Sequence, residues 1–184
     1  MSQSLSDTTV AILLAPRGTE EPEFTEPRDA LTDAGATVEV VGVEAGEVQT
    51  VNNDLEPGGS YEVEKTFSEV SADDYDGLVV PGGSVGADDL RGNEEAVEFV
   101  RQFVESDRPT GVICHGPWLL AEADVLDGRT VTSFHSIETD LRNAGAEWVD
   151  EEVVVDGHLV TSRNPDDLDA FCEAVVEQLE QASR

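Results

Sequence analysis

Short apolar runs alternate along this chain with segments of helical periodicity, and that alternation restricts the fold more than any other feature. Thr9–Ala15, Thr37–Val43, Asp76–Val80 and Thr110–Ile113 are too short for core helices and apolar enough for strands covered on both faces. Between them, Ala30, Leu31 and Ala34 fall at helical spacing before Gly35, after a Pro-punctuated acidic stretch that holds Glu20-Glu21-Pro22-Glu23 and Pro27. Asn93–Glu105 carries Ala96, Val97, Val100, Phe103 and Val104 on one helical side. Glu44–Thr66, with turn signals at Gly46, Asn52-Asn53 and Pro57-Gly58-Gly59, reads as small strands or a hairpin. Further on, Pro117–Ala123 and Ile137–Ala144 read as helices and Thr130–Ser133 as a short strand. Asp156-Gly157 is a hairpin turn pair between Glu152–Val155 and Leu159–Ser162. The last helix starts at Asn164-Pro165 and aligns Leu168, Phe171, Val175 and Leu179. Strands alternating with helices at short range predict a single α/β domain over residues 1–184 with a mainly parallel sheet, and residues 1–8 are expected to form a flexible N-terminus.

Charge narrows the partners. Ten basic residues, of which only Lys65 is a lysine, stand against 41 acidic ones, a formal net charge of −31. Phosphates would be repelled over most of such a surface, which excludes a general nucleic-acid or anionic-membrane binder. No apolar run approaches the roughly 18 residues of a membrane span, and Met1–Asp7 lacks the regions of a signal peptide, so a cytoplasmic protein is expected. The acids are spread along the chain, as at Asp73-Asp74, Glu94-Glu95 and Asp166-Asp167, rather than gathered in a tail. With lysine nearly absent, this is the balance expected of a halophilic protein, because molar salt shortens the Debye length to roughly 3 Å.

In parallel sheets, sites lie at the carboxyl ends of strands. Two features fall there: the Pro81-Gly82-Gly83 turn and Cys114, which follows Thr110–Ile113 directly. A cysteine between a buried strand and a helix has the placement of a nucleophile elbow, with the helix amino end and backbone N–H groups favouring a thiolate. A lone buried cysteine is as readily a small core residue, so both readings stand on the residues alone. Cys172, beside Phe171 on the last apolar stripe, reads as inert core, and His158 beside the turn as solvated. Neither cysteine has metal-ligand spacing; no metal or cofactor is expected.

Ile113-Cys114-His115-Gly116-Pro117 with Leu119-Leu120 and Gly128-Arg129 resembles the PfpI-type intracellular protease and deglycase family. Asp76–Gly83, Leu90-Arg91-Gly92, Asn143–Trp148, Glu152–Gly157 and Thr161-Ser162-Arg163 extend the resemblance from Thr9 to Leu179. It implies the class I glutamine amidotransferase-like superfamily and a flavodoxin-like three-layer sandwich. By the same resemblance, Cys114 is the nucleophile and His115 the general base or proton shuttle. Glu20, seven residues before Pro27, matches a buried glutamate that holds a proton and donates a hydrogen bond to the cysteine, favouring the thiolate. The N–H groups of Gly83 and His115 match the oxyanion hole. An acid just after Pro-Gly-Gly, contributed by a neighbouring subunit, matches Asp88 best, with Asp89 as its rival; this implies a dimer or larger homo-oligomer with a shared site. Phe134 stands where some relatives have a tyrosine, and His135 where proline is frequent.

The resemblance implies a cysteine-nucleophile hydrolase or lyase acting on methylglyoxal, glyoxal or their early protein adducts, as a deglycase or cofactor-independent glyoxalase. An intracellular cysteine peptidase is the alternative enzyme. Glutamine amide transfer fits less well, since the region around Thr161-Ser162-Arg163 offers no late His and Glu. A redox-sensing stress chaperone, with Cys114 reversibly oxidised, is the reading from another class.

Overall fold

A computed structural model describes residues 4–184. The strands are β1 (Thr9–Leu14), β2 (Thr37–Gly42), β3 (Gly46–Asn52), β4 (Glu56–Val63), β5 (Lys65–Thr66), β6 (Gly77–Val80), β7 (Thr110–Ile113), β8 (Thr130–Val131), β9 (Glu147–Trp148), β10 (Val153–Asp156) and β11 (Leu159–Ser162). The helices are α1 (Glu21–Asp33), α2 (Ser84–Arg91), α3 (Glu94–Glu105), α4 (Pro117–Glu122), α5 (Glu138–Asn143) and α6 (Leu168–Ala182). Seven strands form the central sheet in the order β10-β11-β7-β6-β1-β2-β5. All neighbours are parallel except β10 and β11, the hairpin turned at Asp156-Gly157. The β3–β4 hairpin and the β8–β9 pair stand apart from this sheet, so the run Thr130–Ser133 supplies a strand outside it.

The apolar runs of β1, β6 and β7 are buried on both faces, as covering helices on the two sides require. One core gathers Leu13, Leu78, Val80 and Val112 with the inner face of α3, where Ala96, Val97, Val100, Phe103 and Val104 are joined by Phe99. The other gathers Val10, Ile12, Val79 and Ile113 with Phe24 and Leu31 of α1 and the α6 stripe Leu168, Phe171, Val175 and Leu179. Each fully buried large side chain contributes roughly 1.5–3 kcal/mol. Asn93 starts α3 by accepting the Ala96 N–H at 2.9 Å. Gly111 lets α6 lie close on β7: a Cβ there would stand 2.5 Å from Val175 Cγ2 and 3.0 Å from the Phe171 ring.

One expectation changes, and two segments that the sequence left unassigned become helical. The N-terminal stretch from Ser4 to Thr8 is anchored, since Leu5 is buried and its N–H donates to the Ala34 carbonyl at 3.0 Å; residues 1–3 lie outside the described residues. The acidic stretch before Ala30 forms the first half of α1 from Glu21 onward. Pro22 sits in its first turn, where its missing N–H costs nothing, and Pro27 is tolerated inside it. Ser84–Ala87 is likewise helical, as the start of α2.

The chain runs from β1 to β2 on one side and then returns to β6 on the other, so the β1/β6 boundary is a topological switch point. The carboxyl ends of β1, β6 and β7 lie side by side there, and each feeds one candidate residue into the same crevice. Among the described residues no helix is long and apolar enough to cross a membrane.

Candidate functional site

Cys114 leaves β7 in a left-handed backbone conformation, φ +64°. For a residue other than glycine this costs of order 1–3 kcal/mol, and it persists because the turn is tied on both sides. Its N–H donates to Ser162 O (3.0 Å), and its carbonyl accepts from the Phe134 N–H (2.9 Å). The result is an elbow that turns the thiol back over the sheet, with 7% of the residue exposed. Helix α4 begins three residues later and has six residues, so its dipole is short. The direct donors are the Gly83 and His115 N–H groups, both directed at the sulfur. Gly83 reaches this position at φ +89°. Gly82 keeps the strand ends close, because a Cβ there would lie 2.7 Å from Cys114 Cβ and 2.6 Å from Glu23 Oε1.

The acid at the cysteine is Glu23, which corrects the expectation for Glu20. Glu23 lies one turn into α1, in phase with Pro27 and Leu31, on the buried face, and none of it is exposed. Its Oε1 accepts the Gly82 N–H at 2.9 Å. Oε2 has no hydrogen-bond partner among the described residues, and the Cys114 thiol is the side chain that bears on the Glu23 carboxyl. Burial, reinforced by Glu20, raises Glu23 to about 8. An orphaned buried oxygen that carries a proton can donate it to sulfur, which accounts for its lack of any other donor. Burial and Glu23 push the Cys114 thiol up, while the Gly83 and His115 N–H groups pull it down. The low thiol pKa expected from the helix end is therefore not the resting state. The thiol and carboxyl form a coupled pair in which a proton retained on Glu23 favours the thiolate.

Glu20 precedes α1, and its carboxylate accepts from the N–H groups of Asn53 (2.6 Å) and Asp54 (3.0 Å) at the β3–β4 tip. Three residues are most of a helical turn, enough to aim the two glutamates at different partners. Burial raises Glu20, with those two N–H groups opposing the shift.

His115 is buried beside the thiol, Nδ1 to Cys114 Sγ 3.3 Å. Burial lowers its pKa, Asp54 opposes this and His135 adds to it, so a neutral imidazole able to take a proton faces the sulfur. Its Nε2 lies 3.4 Å from the hydroxyls of both Ser84 and Ser136. Phe134 stacks on the imidazole at 4.8 Å and Trp118 meets it edge-on at 5.1 Å. Phe134 thus supplies a ring wall where some relatives would carry a phenol. His135 is exposed and packs on the outer side of Phe134 at 4.5 Å.

Within the chain, Asp88 is exposed on α2 and paired with Arg91 at 2.8 Å, and Asp89 pairs with Arg17 at 3.0 Å. Neither is brought to His115 of its own chain. Cys172 is half-buried at the edge of the α6 core rather than inside it. Burial, with Glu26 and Asp169, raises its thiol to about 12. His158 is also half-buried and bonds Gln178 at 3.2 Å. Glu23, Asp54, Ser84 and Ser136 escaped the sequence reading; an acid in phase with the buried stripe of α1 was the available signal for the first. Among the described residues no group of three or more His, Cys, Asp and Glu is placed to hold a metal ion.

The fold and site define a flavodoxin-like α/β protein with a cysteine elbow beside a protonatable glutamate. Residues 8–178 match the DJ-1/PfpI family, and the chain belongs to it. An uncharacterized protein of Staphylococcus epidermidis is 43% identical over 175 residues, which cover 93% of this chain and 97% of the relative. A Bacillus subtilis protein named "Putative cysteine protease YraA" is 43% identical over 152 residues, covering 83% and 87%. Among solved structures, a two-domain Anabaena variabilis protein with DJ-1/ThiJ/PfpI-like and ferritin-like domains superposes at TM-score 0.87 with 37% identity; the match covers 94% of this chain and 48% of that one. Drosophila melanogaster DJ-1beta superposes at TM-score 0.83 with 28% identity, covering 98% and 96%.

Proposed function

We propose that this chain is a cysteine-nucleophile enzyme acting on small reactive carbonyls, methylglyoxal and glyoxal or their early adducts on proteins. The observation that carries the reading is the surroundings of Cys114: two backbone N–H donors, a carboxyl raised to about 8, and a neutral imidazole at 3.3 Å. The Cys114 sulfur adds to the aldehyde carbon, forming a C–S bond, and the carbonyl oxygen gains a proton as the hemithioacetal. His115 moves a proton from that carbon to the neighbouring carbonyl carbon through an enediol, leaving a thioester. Water cleaves the thioester, regenerates the thiol and releases lactate, so methylglyoxal and water account for all atoms and electrons. The Gly83 and His115 N–H groups can stabilise oxyanions along this path. With 7% of Cys114 exposed, a small electrophile reaches the sulfur more easily than an extended peptide.

The cysteine-protease name of the Bacillus subtilis relative favours a second reading, peptide hydrolysis through a thioester on the same sulfur. The test follows lactate formation from methylglyoxal, beside hydrolysis of a casein-derived peptide mixture, by one metal-free preparation in molar salt. Lactate formation that Cys114→Ala abolishes, with little peptide cleavage, is the expected result. Peptide cleavage without lactate would shift the assignment to the peptidase. Carbonyl turnover that survives Cys114→Ala would remove cysteine chemistry altogether.

A further inference from the structure

We propose that Asp54 is the acid partner of His115, acting through the Ser84 hydroxyl, and that Glu20 is the residue that positions it. Cys114, His115, Ser84 and Asp54 then form a proton path within one chain. The inference rests on the cysteine chemistry proposed above and assigns the acid which that chemistry lacks inside the chain.

The path can be followed atom by atom. Asp54 Oδ1 accepts the Ser84 N–H at 2.7 Å, and Oδ2 lies 3.0 Å from Ser84 Oγ. A carboxylate only accepts, so the Ser84 hydroxyl proton points to Asp54 and leaves its lone pairs free. Ser84 Oγ stands 3.4 Å from His115 Nε2, a long bond of the kind resting sites show before substrate tightens them. A lone pair there selects the tautomer with hydrogen on Nε2. Nδ1 is then the unprotonated nitrogen, and it faces Cys114 Sγ at 3.3 Å. When Nδ1 takes the thiol proton, the imidazolium formed is compensated by Asp54 across one hydroxyl, and the proton returns by the same nitrogen.

Glu20 explains why Asp54 is available there. The β3–β4 hairpin is separate from the central sheet, and its tip residues Asn53 and Asp54 both take left-handed backbone angles, φ 51° and 63°. Consecutive N–H groups of such a turn converge into a cradle for an anion, and the Glu20 carboxylate fills it. Glu21, the next residue, holds the hairpin arms through the Thr50 hydroxyl at 3.0 Å, the Tyr61 hydroxyl at 3.1 Å and the Gly59 N–H. One acidic dipeptide at the start of α1 thus docks the hairpin and delivers Asp54 to α2.

The titratable groups around His115 are Asp54 behind Ser84, the Cys114 thiol with Glu23 beyond it, and His135 across Phe134. Ser136 shares Nε2 with Ser84 and is itself uncharged. The test is NMR titration of the His115 imidazole, with its tautomer read from nitrogen–proton couplings, in the wild type and in Asp54→Asn, Glu20→Gln, Ser84→Ala and Asp88→Asn. Asp54→Asn should lower the His115 pKa by about half a unit or more and reduce the Nε2–H population. Ser84→Ala should disturb the tautomer in the same direction, which keeps the proposal testable if Asp54→Asn does not fold. Glu20→Gln should give a partial version of the Asp54→Asn effect, and Asp88→Asn should leave both readouts unchanged. A wild-type His115 titration and tautomer in Asp54→Asn or Ser84→Ala would overturn the path. A shift caused by Asp88→Asn alone would instead assign the acid to a neighbouring subunit. None of these readouts needs a substrate, so loss of the carbonyl activity and loss of this path are separately visible.

Discussion

Glu23→Gln should flatten the pH dependence of stability between about pH 4.5 and 8. The native carboxyl, raised from 4.5 to about 8, keeps its proton across that range while the unfolded chain loses it. The native state then binds more protons, so stability falls as pH rises, by about 1.36 kcal/mol per unit for one proton. The contribution is fully present below the unfolded value and is lost on passing through the native one. Glutamine keeps the shape, an acceptor for the Gly82 N–H and an N–H for the sulfur, yet cannot ionise. It should therefore be more stable than the wild type near pH 8, on the order of several kcal/mol. Glu23→Ala should be destabilised instead, since an unpaired buried Gly82 N–H alone costs about 1–3 kcal/mol. Denaturant unfolding of the three proteins in molar salt from pH 5 to 8 measures this. Parallel curves for the wild type and Glu23→Gln would show that Glu23 is ionised in the native state.

The second large effect is that of salt. Among the described residues, seven arginines pair with eight carboxylates, and every pair but Arg163–Asp167, whose carboxylate is buried, has at least one partner well exposed. Such pairs are worth only about 0–1 kcal/mol each. They leave most of the 41 acidic side chains without a basic partner. At 0.1 M ionic strength the Debye length is about 10 Å, so neighbouring carboxylates repel across the surface, and molar salt cuts that reach to roughly 3 Å. Raising salt from 0.1 to 2 M should therefore raise the Tm by about 10 °C, which corresponds to roughly 3 kcal/mol for a chain of this size. A midpoint independent of salt would contradict the halophilic reading of the composition.

Much of this architecture was legible because buried strands need continuous apolar runs and surface helices need one apolar stripe. Thr9–Leu14, Gly77–Val80 and Thr110–Ile113 satisfy the first, and α3 and α6 the second. The elbow was legible as well, since a cysteine directly after such a run can hardly avoid the strand end. What escaped was anything set by helix phase or by contacts distant in sequence. Two prolines within Glu21–Asp33 disguise the start of α1, and with the start misplaced the phase cannot distinguish Glu20 from Glu23. Asp54 reaches the site only because a hairpin folds across thirty or more residues onto Glu20 and Ser84. No local pattern announces that contact.

The coupling of the Cys114 thiol to the Glu23 carboxyl underlies the proposed chemistry, and alkylation of the folded protein tests this most directly. The rate at Cys114 with iodoacetamide, read by peptide mass spectrometry against pH in molar salt, should rise only above the ordinary thiol range, since burial and Glu23 push the thiol up. Cys172, raised to about 12, should remain slow throughout the same range. In Glu23→Ala the Cys114 midpoint should move downward, because the carboxylate that opposes the thiolate at alkaline pH is gone. A midpoint for Cys114 that Glu23→Ala leaves in place, or a Cys172 that reacts as fast, would contradict the paired thiol and carboxyl on which the proposed chemistry is built.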